Sequence, residues 1–422
     1  MSSGYIIVEQ SGPLVGQVTL SGAKNAVLVI MTSLLLTRGK SVLRNVPALA
    51  DVFDMIKILK SLRAEVQFDD VHNILEVDTT NLDPAGLDQD AVRKFRASLL
   101  IFGPLLTQFK DAKVAMPGGD AIGARPVDYH IKNFKKLGAQ IYQDADFLYG
   151  QASKMHAQRL VLDYPSVGAT ENLLMALTMV EGESWLVNAA LEPEVLDLIT
   201  VLQKMGADIE ICPPAMIKIK GVTKLNAVDH TVICDRLEAG SLLVAGAITK
   251  GDVYIPNANA FEMELFLMKL EEMGHLISVG NNGVGVRLQA APCPKAVSFK
   301  TGPYPGFPTD LQALMMAAQT VSTGSCNVVE TVFENRFLHV PEMNKMGANI
   351  RATGHFAELV GTPQLHGAEV IATDIRASCA LALLGLAADG TTRVAQGTHH
   401  WKRGYETLDA KLRSLGAKIS LL

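Results

Sequence analysis

Two kinds of apolar segment alternate along this chain, and a short signature marks where one gives way to the other. In "EVLDLITVLQKMGADIEI" (194–211) apolar residues recur at helical spacing, a glycine follows, and a strand-like alternation takes over. The pattern predicts an amphipathic helix closed by glycine, which admits the left-handed backbone that ends a helix. The signature occurs six times: "SLRAEV" at 61, "KLGAQI" at 136, "KMGADI" at 204, "EMGHLI" at 272, "KMGANI" at 345 and "SLGAKI" at 414. Successive copies lie 75, 68, 68, 73 and 69 residues apart, a spacing that marks a repeat architecture.

Each repeat carries a second helix of a different kind. "NAVLVIMTSLLL", "RASLLIFGPLL", "TENLLMALTMV", "EAGSLLVAGAI", "TDLQALMMAAQ" and "RASCALALLGLA" are apolar nearly all round, so they belong inside a domain rather than on its surface. A strand follows each, as in "SVLRNVP", "AKVAMPGG", "SWLVNAA", "GDVYIPNA", "CNVVETVF" and "TRVAQG". Six such units in 422 residues predict two similar α/β domains of three units, about 200 residues each.

Polar residues gather at one end of the buried helices. Lys24, Asn25, Arg96, Thr170, Glu238, Asp310 and Arg376 all fall at or near a helix start. Capping is a sufficient reason for Thr309, Asp310 and Glu238 taken singly. It does not account for the bases, because the helix dipole disfavours Lys24, Arg96 and Arg376 at that end. An anion held by the unpaired N–H groups would explain their position.

Composition narrows the class. Apolar residues make up 48% and charged residues 19%, which suits a well-buried globular chain. A net charge of −5 excludes broad, sequence-independent nucleic-acid binding and leaves small anionic substrates open. The five cysteines (Cys212, Cys234, Cys293, Cys326, Cys379) are scattered with no CxxC pair, against a disulfide framework or a zinc site and in keeping with a reducing cytoplasm. The first residues lack the basic start and continuous apolar run of a secretory signal, and the apolar segments are too interrupted for a membrane span.

Eight motifs then occur in order: "LSGAKNA" (20–26), "FRAS" (95–98), "PGGDAIGARPVD" (117–128), "SVGATEN" (166–172), "FPTDLQA" (307–313), "ETVFENRF" (330–337), "ATDIRAS" (372–378) and "RGYE" (403–406). Together, over essentially the whole chain, they resemble the UDP-N-acetylglucosamine 1-carboxyvinyltransferase family. The resemblance implies two domains of inside-out α/β barrel type, with six βαβαββ-like repeats and the active site in the interdomain cleft. Residues 23–232 would form the first domain, carrying a mobile loop at 114–126, and 1–22 with 233–422 the second.

The implied reaction joins phosphoenolpyruvate to the 3′-hydroxyl of UDP-N-acetylglucosamine through a tetrahedral intermediate and expels phosphate, committing the sugar to peptidoglycan. It implies no metal, no organic cofactor, no membrane insertion and no obligatory protein partner. By resemblance Lys24 and Arg125 face the phosphate, Arg336, Arg376 and Arg403 surround the enolpyruvyl carboxylate, and Asn25 contacts the same substrate. Several fixed cations suit a ligand carrying both a phosphate and a carboxylate. Arg96, Arg125, Pro126, Val127, Asp128, Tyr129, Tyr164, Pro165, Ser166, Val167, Asp310 and Val332 match positions that hold the nucleotide sugar. Asp310 matches the group beside the attacking hydroxyl, where a carboxylate orients the hydroxyl and accepts its proton late. Lys24, Arg403 and Asp120 complete the implied catalytic set, with Glu334 as a support for Arg336.

One position within these motifs departs from the family. Its loop usually reads Pro-Gly-Gly-Cys, the cysteine being a general acid and the site that fosfomycin alkylates; here Asp120 stands in that place. A carboxyl group can fill the acid role if loop closure desolvates it and raises its pKa. It is a far poorer nucleophile than a thiolate, so fosfomycin insensitivity is expected. Two alternatives stay open: the related shikimate-pathway enolpyruvyl transferase, against which "GARPVD" and "FPTDLQA" weigh, and a non-catalytic nucleotide-sugar-binding paralogue.

Overall fold

The computed structural model describes residues 4–116, 118, 122–123 and 127–422. Asp120, Arg125 and Pro126 lie outside the described residues. The chain divides into two compact units. One holds residues 22–118 and 127–233; the other holds 4–21, 122–123 and 234–422. Each has its own hydrophobic core.

The six apolar segments are helical at the centre of their units: α1 (Lys24–Ser33), α2 (Phe102–Phe109) and α3 (Val167–Leu177), then α4 (Arg236–Ile248), α5 (Gln312–Thr320) and α6 (Ile375–Gly385). Every residue of α4 and α6 is buried, as all-round apolar character demands. Two of the six are not α-helical from their first residue. "RASLLIFGPLL" begins as a 3-10 turn, Arg96–Ile101, and becomes α-helical only at Phe102. Restarting there puts Pro104 in a first turn, where its missing N–H would have no partner in any case. Likewise Thr309–Leu311 is a 3-10 turn before α5.

Open sheets cover these helices, five of four strands and one of three among the described residues, and none closes into a barrel. In each, antiparallel strands carry the repeat, and in the four-stranded sheets a short parallel strand joins the edge. Lys40–Arg44, for example, pairs antiparallel with Ile74–Asp78 and parallel with Asp229–Thr231. The last sheet takes Tyr5–Glu9 between Thr391–Ala395 and Lys418–Leu421, so the start of the chain completes its final repeat.

The signature that divides helix from strand has one backbone shape in all six copies. Gly138, Gly206, Gly274, Gly347 and Gly416 have φ of 100°, 105°, 101°, 94° and 107°. The first copy has Arg63 there, at φ 65°, an arrangement that crowds a Cβ against the following carbonyl.

Candidate active site

In the unit built from the C-terminal half, three helix starts come together as α4, α5 and α6 pack on one another. Asp374 accepts hydrogen bonds from the Arg376 and Ala377 N–H groups (2.9 and 3.1 Å), and Asp235 does the same for Leu237 and Glu238 (2.8 and 3.1 Å). These aspartates are the caps. Asp310 and Glu238, for which capping was a sufficient reading, are engaged elsewhere. The Glu238 carboxylate accepts from the Ser21 N–H at 2.8 Å and from Lys411.

Asp310 sits between two arginines. Arg336 donates through Nη2 to its Oδ1 at 2.6 Å, and Arg376 through Nη2 to its Oδ2 at 3.2 Å. Both guanidinium groups are almost wholly buried, at 3% and 4% side-chain exposure, while Asp310 keeps 29%. Arg336 also donates to the Thr309 carbonyl through Nε and Nη2 (3.4 and 3.3 Å) and lies 3.8 Å from Asp374. Its supports are therefore Asp310, Asp374 and a backbone carbonyl; Glu334, expected in that role, is exposed and is not among them.

Among the described residues, buried Arg376 Nη1 has no hydrogen-bond partner. Burial works against the Arg376 charge, but Tyr405, Asp310 and Asp235 hold its pKa well above the ordinary arginine value. Burial likewise opposes the Asp374 charge, yet Arg336 and the Ala377 N–H keep its carboxyl below the usual carboxylate range. The result is a fixed, buried cationic face with one carboxylate across it, the kind of surface that recognises a planar anion.

Arg403 lies on α7 (Gly397–Gly404), partly exposed, two residues before Tyr405. Gly404 permits α7 to press on α6, since a Cβ there would stand 2.2 Å from Ile375 Cγ2. Tyr405 follows, buried, its ring centre 5.3 Å from the Arg376 guanidinium and its hydroxyl 3.1 Å from Ser241 Oγ. Val332 is half-buried, with its N–H donating to Glu330 at 2.8 Å.

Of the predicted residues that the structure describes, the other unit holds Lys24, Asn25, Arg96, Val127 to Tyr129 and Tyr164 to Val167. Lys24 opens α1, buried, with Nζ 3.4 Å from Asp51; that carboxylate offsets a cation placed against the helix dipole. Asn25, next on α1, is exposed, and Arg96 is partly exposed at the start of its 3-10 turn. Val127 is buried ahead of the helix Asp128–Lys136, which places Asp128 and Tyr129 in its first turn. Tyr164, Pro165, Ser166 and Val167 form the turn into α3, where Ser166 accepts from Ala169 N–H at 3.4 Å as the cap.

Beside them lies a residue that the motif reading passed over. His130 is buried, and the Asn172 amide donates to its Nδ1 at 3.2 Å. Burial, helped by the charge of Arg96, pushes the imidazole pKa down to about 3. Asn172 also accepts from Gly103 N–H at 2.7 Å and donates to the Leu99 carbonyl at 3.2 Å, so it ties three segments together.

Among the described residues no cluster of three or more His, Cys, Asp or Glu is arranged to hold a metal ion, and no helix is long and apolar enough to cross a membrane.

Comparisons with known proteins agree in one direction. The family model of EPSP synthase (3-phosphoshikimate 1-carboxyvinyltransferase) matches residues 8–412. UDP-N-acetylglucosamine 1-carboxyvinyltransferase 1 of Caldanaerobacter subterraneus subsp. tengcongensis is 45% identical over 413 residues, 98% of each chain. UDP-N-acetylglucosamine 1-carboxyvinyltransferase 2 of Staphylococcus saprophyticus subsp. saprophyticus is 46% identical over 408 residues, 96% of each chain. The crystal structure of the enolpyruvyl transferase NikO from Streptomyces tendae shares the fold, with a TM-score of 0.90 at 24% identity, covering 100% of this chain and 99% of that one. With full-length identity at this level, and the two-unit α/β fold in common with solved enolpyruvyl transferases, the chain belongs to the UDP-N-acetylglucosamine 1-carboxyvinyltransferase family of transferases.

Proposed function

We propose that this protein transfers the enolpyruvyl group of phosphoenolpyruvate to the 3′-hydroxyl of UDP-N-acetylglucosamine, in the cytoplasm, as the first committed step of peptidoglycan synthesis. The observation that carries the reading is the Asp310 carboxylate set between buried Arg336 and Arg376, three residues of three different family motifs. Two buried guanidinium groups that hold one carboxylate between them support the reading that a carboxylate substrate is recognised there. In the proposed reaction the sugar oxygen bonds to C2 of phosphoenolpyruvate while a proton reaches the methylene carbon, giving a tetrahedral intermediate. The new methyl group then returns a proton as the C2–O bond to phosphate breaks.

In this reading Lys24, Asn25, Arg125, Arg336, Arg376 and Arg403 hold the phosphoenolpyruvate part. The nucleotide sugar is held by Arg96, Arg125 to Tyr129, Tyr164 to Val167, Asp310 and Val332. Asp310 orients the hydroxyl and takes its proton late. Asp120 is the acid for the methylene carbon, in place of the family's loop cysteine, and the enzyme is insensitive to fosfomycin.

Release of inorganic phosphate from phosphoenolpyruvate, dependent on UDP-N-acetylglucosamine, is the decisive assay. Release that depends instead on shikimate 3-phosphate, or none with either acceptor, overturns the assignment.

A further inference from the structure

Glu330 has no part in the assignments above, yet both its oxygens are committed to segments that carry predicted substrate residues. It is buried, at 1% exposure, one residue past the strand Ser325–Val329. Its Oε1 accepts from the backbone N–H groups of Val332 and Phe333, at 2.8 and 3.2 Å. Its Oε2 accepts from the Thr309 hydroxyl at 3.0 Å. Thr309 is the neighbour of Asp310, and the Thr309 carbonyl receives the Arg336 side chain.

The placement follows from the sheet. Phe299–Lys300 and Ser325–Val329 run parallel and end side by side, so the chain leaves both at the same edge. One exit leads to Thr309 and Asp310, the other to Val332. Thr331 fastens the exits again, donating from its hydroxyl to the Thr301 carbonyl at 2.7 Å and from its N–H to Thr301 Oγ1 at 2.9 Å. Glu330 is the acidic group between them. A buried carboxylate accepting three hydrogen bonds makes stronger, more directional contacts than a neutral acceptor, and losing it takes the acceptor from three partly buried donors.

We propose that Glu330 is a positioning residue for the acceptor sugar: one oxygen sets the Val332 backbone, and the other sets the Thr309–Asp310 turn. The inference rests on the functional reading above. It also divides into two branches that kinetics can separate. Thr309→Val cuts only the Asp310 branch, so kcat falls about tenfold while KM for UDP-N-acetylglucosamine stays within about twofold. Glu330→Ala cuts both, so kcat falls similarly and that KM rises about tenfold. Glu330→Gln restores most of both, because its amide oxygen can take the two backbone N–H groups and its amide nitrogen can donate to Thr309.

Amide hydrogen exchange supplies a readout independent of turnover. Val332 and Phe333 should exchange faster in Glu330→Ala and unchanged in Thr309→Val. Wild-type kinetics and exchange in folded Glu330→Ala overturn this inference and leave the functional reading intact. A wild-type protein without sugar-dependent phosphate release overturns the functional reading instead. Should Glu330→Ala not fold, equal effects of Thr309→Val on kcat and on KM overturn the two-branch assignment.

Discussion

Asp310 meets Arg336 at 2.6 Å, and the carboxylate that approaches so closely is the same one that bonds Arg376. A residue expected to serve as proton acceptor is thus also the counter-charge of two buried guanidinium groups. Both arginines point at it, so its lone pairs face two cations. In the proposed reaction, a substrate carboxylate that takes over the arginines would leave Asp310 free for the sugar hydroxyl. Asp310→Ala should abolish turnover by about a hundredfold or more. It should also destabilise the free protein by about 2 kcal/mol, because two buried cations lose a partner. The cost stays below that of a fully buried pair, since Asp310 is 29% exposed and Asp374 remains 3.8 Å from Arg336. Calorimetric melting tests the second effect: adding phosphoenolpyruvate should raise the melting temperature of Asp310→Ala more than that of wild type. Equal melting of the two free proteins would remove Asp310 as the counter-charge.

Arg63 offers a test of the repeat. It occupies, at φ 65°, the position that glycine holds in the other five signatures. A non-glycine residue there costs about 1–2 kcal/mol, against roughly 0.5–1 kcal/mol of extra chain entropy that glycine loses on folding. Its ion pair with Asp83, 3.1 Å long, is 71% exposed on the arginine side and contributes little. Arg63→Gly should therefore stabilise the protein by about 0.5 kcal/mol or slightly more, seen as a higher urea midpoint. Gly206→Ala, at φ 105°, should lower it. A destabilised Arg63→Gly would show that the arginine side chain matters more than its backbone.

Periodicity carried most of the architecture because burial acts on whole faces of an element, and a face is visible in a single sequence. The six apolar helices and the strands after them lie where the pattern put them. The 3-10 start at Arg96–Ile101 was not legible, because helical spacing does not distinguish the two hydrogen-bond ladders over one turn. At the site, the arginines were legible through their motifs, but their partners were not. Nothing near Asp310 in sequence says that its carboxylate spans Arg336 and Arg376, 26 and 66 residues away. Glu330 was missed for the same reason: its role depends on Thr309, across two strand ends. Glu334 lies close to Arg336 in sequence, but the fold points the arginine to Asp310, Asp374 and the Thr309 carbonyl.

His130 gives the protein a pH-dependent stability of definite sign. Burial, then Arg96, lowers its pKa from 6.5 to about 3. Between those values the unfolded chain binds a proton that the folded chain refuses, so His130 favours folding above pH 6.5 and this advantage fades as pH falls. The slope is about 1.4 kcal/mol per pH unit for one proton. From pH 6.5 to 5, wild type should lose about 2 kcal/mol more than His130→Gln. Other titrating groups cancel in that difference. Urea unfolding of both proteins across the range checks it, and parallel curves would mean that His130 is protonated in the folded state.

The proposed acid role of Asp120 has a pH signature. If Asp120 delivers the proton to the methylene carbon, it acts in its protonated form, and the rate falls as pH rises past its folded pKa. Asp120→Cys, whose thiol holds its proton to a higher pH, should then work to a more alkaline limit than wild type. Asp120→Ala should lose about a hundredfold in kcat; unchanged turnover would remove the residue from the mechanism. The same pair of proteins separates nucleophile from acid. A thiolate opens an epoxide readily and a carboxylate poorly, so fosfomycin should inactivate Asp120→Cys with time and leave wild type active. Peptide mapping by mass spectrometry locates the adduct, and its appearance on wild-type Asp120 would defeat the claim of insensitivity while still placing that side chain within reach of a bound substrate analogue.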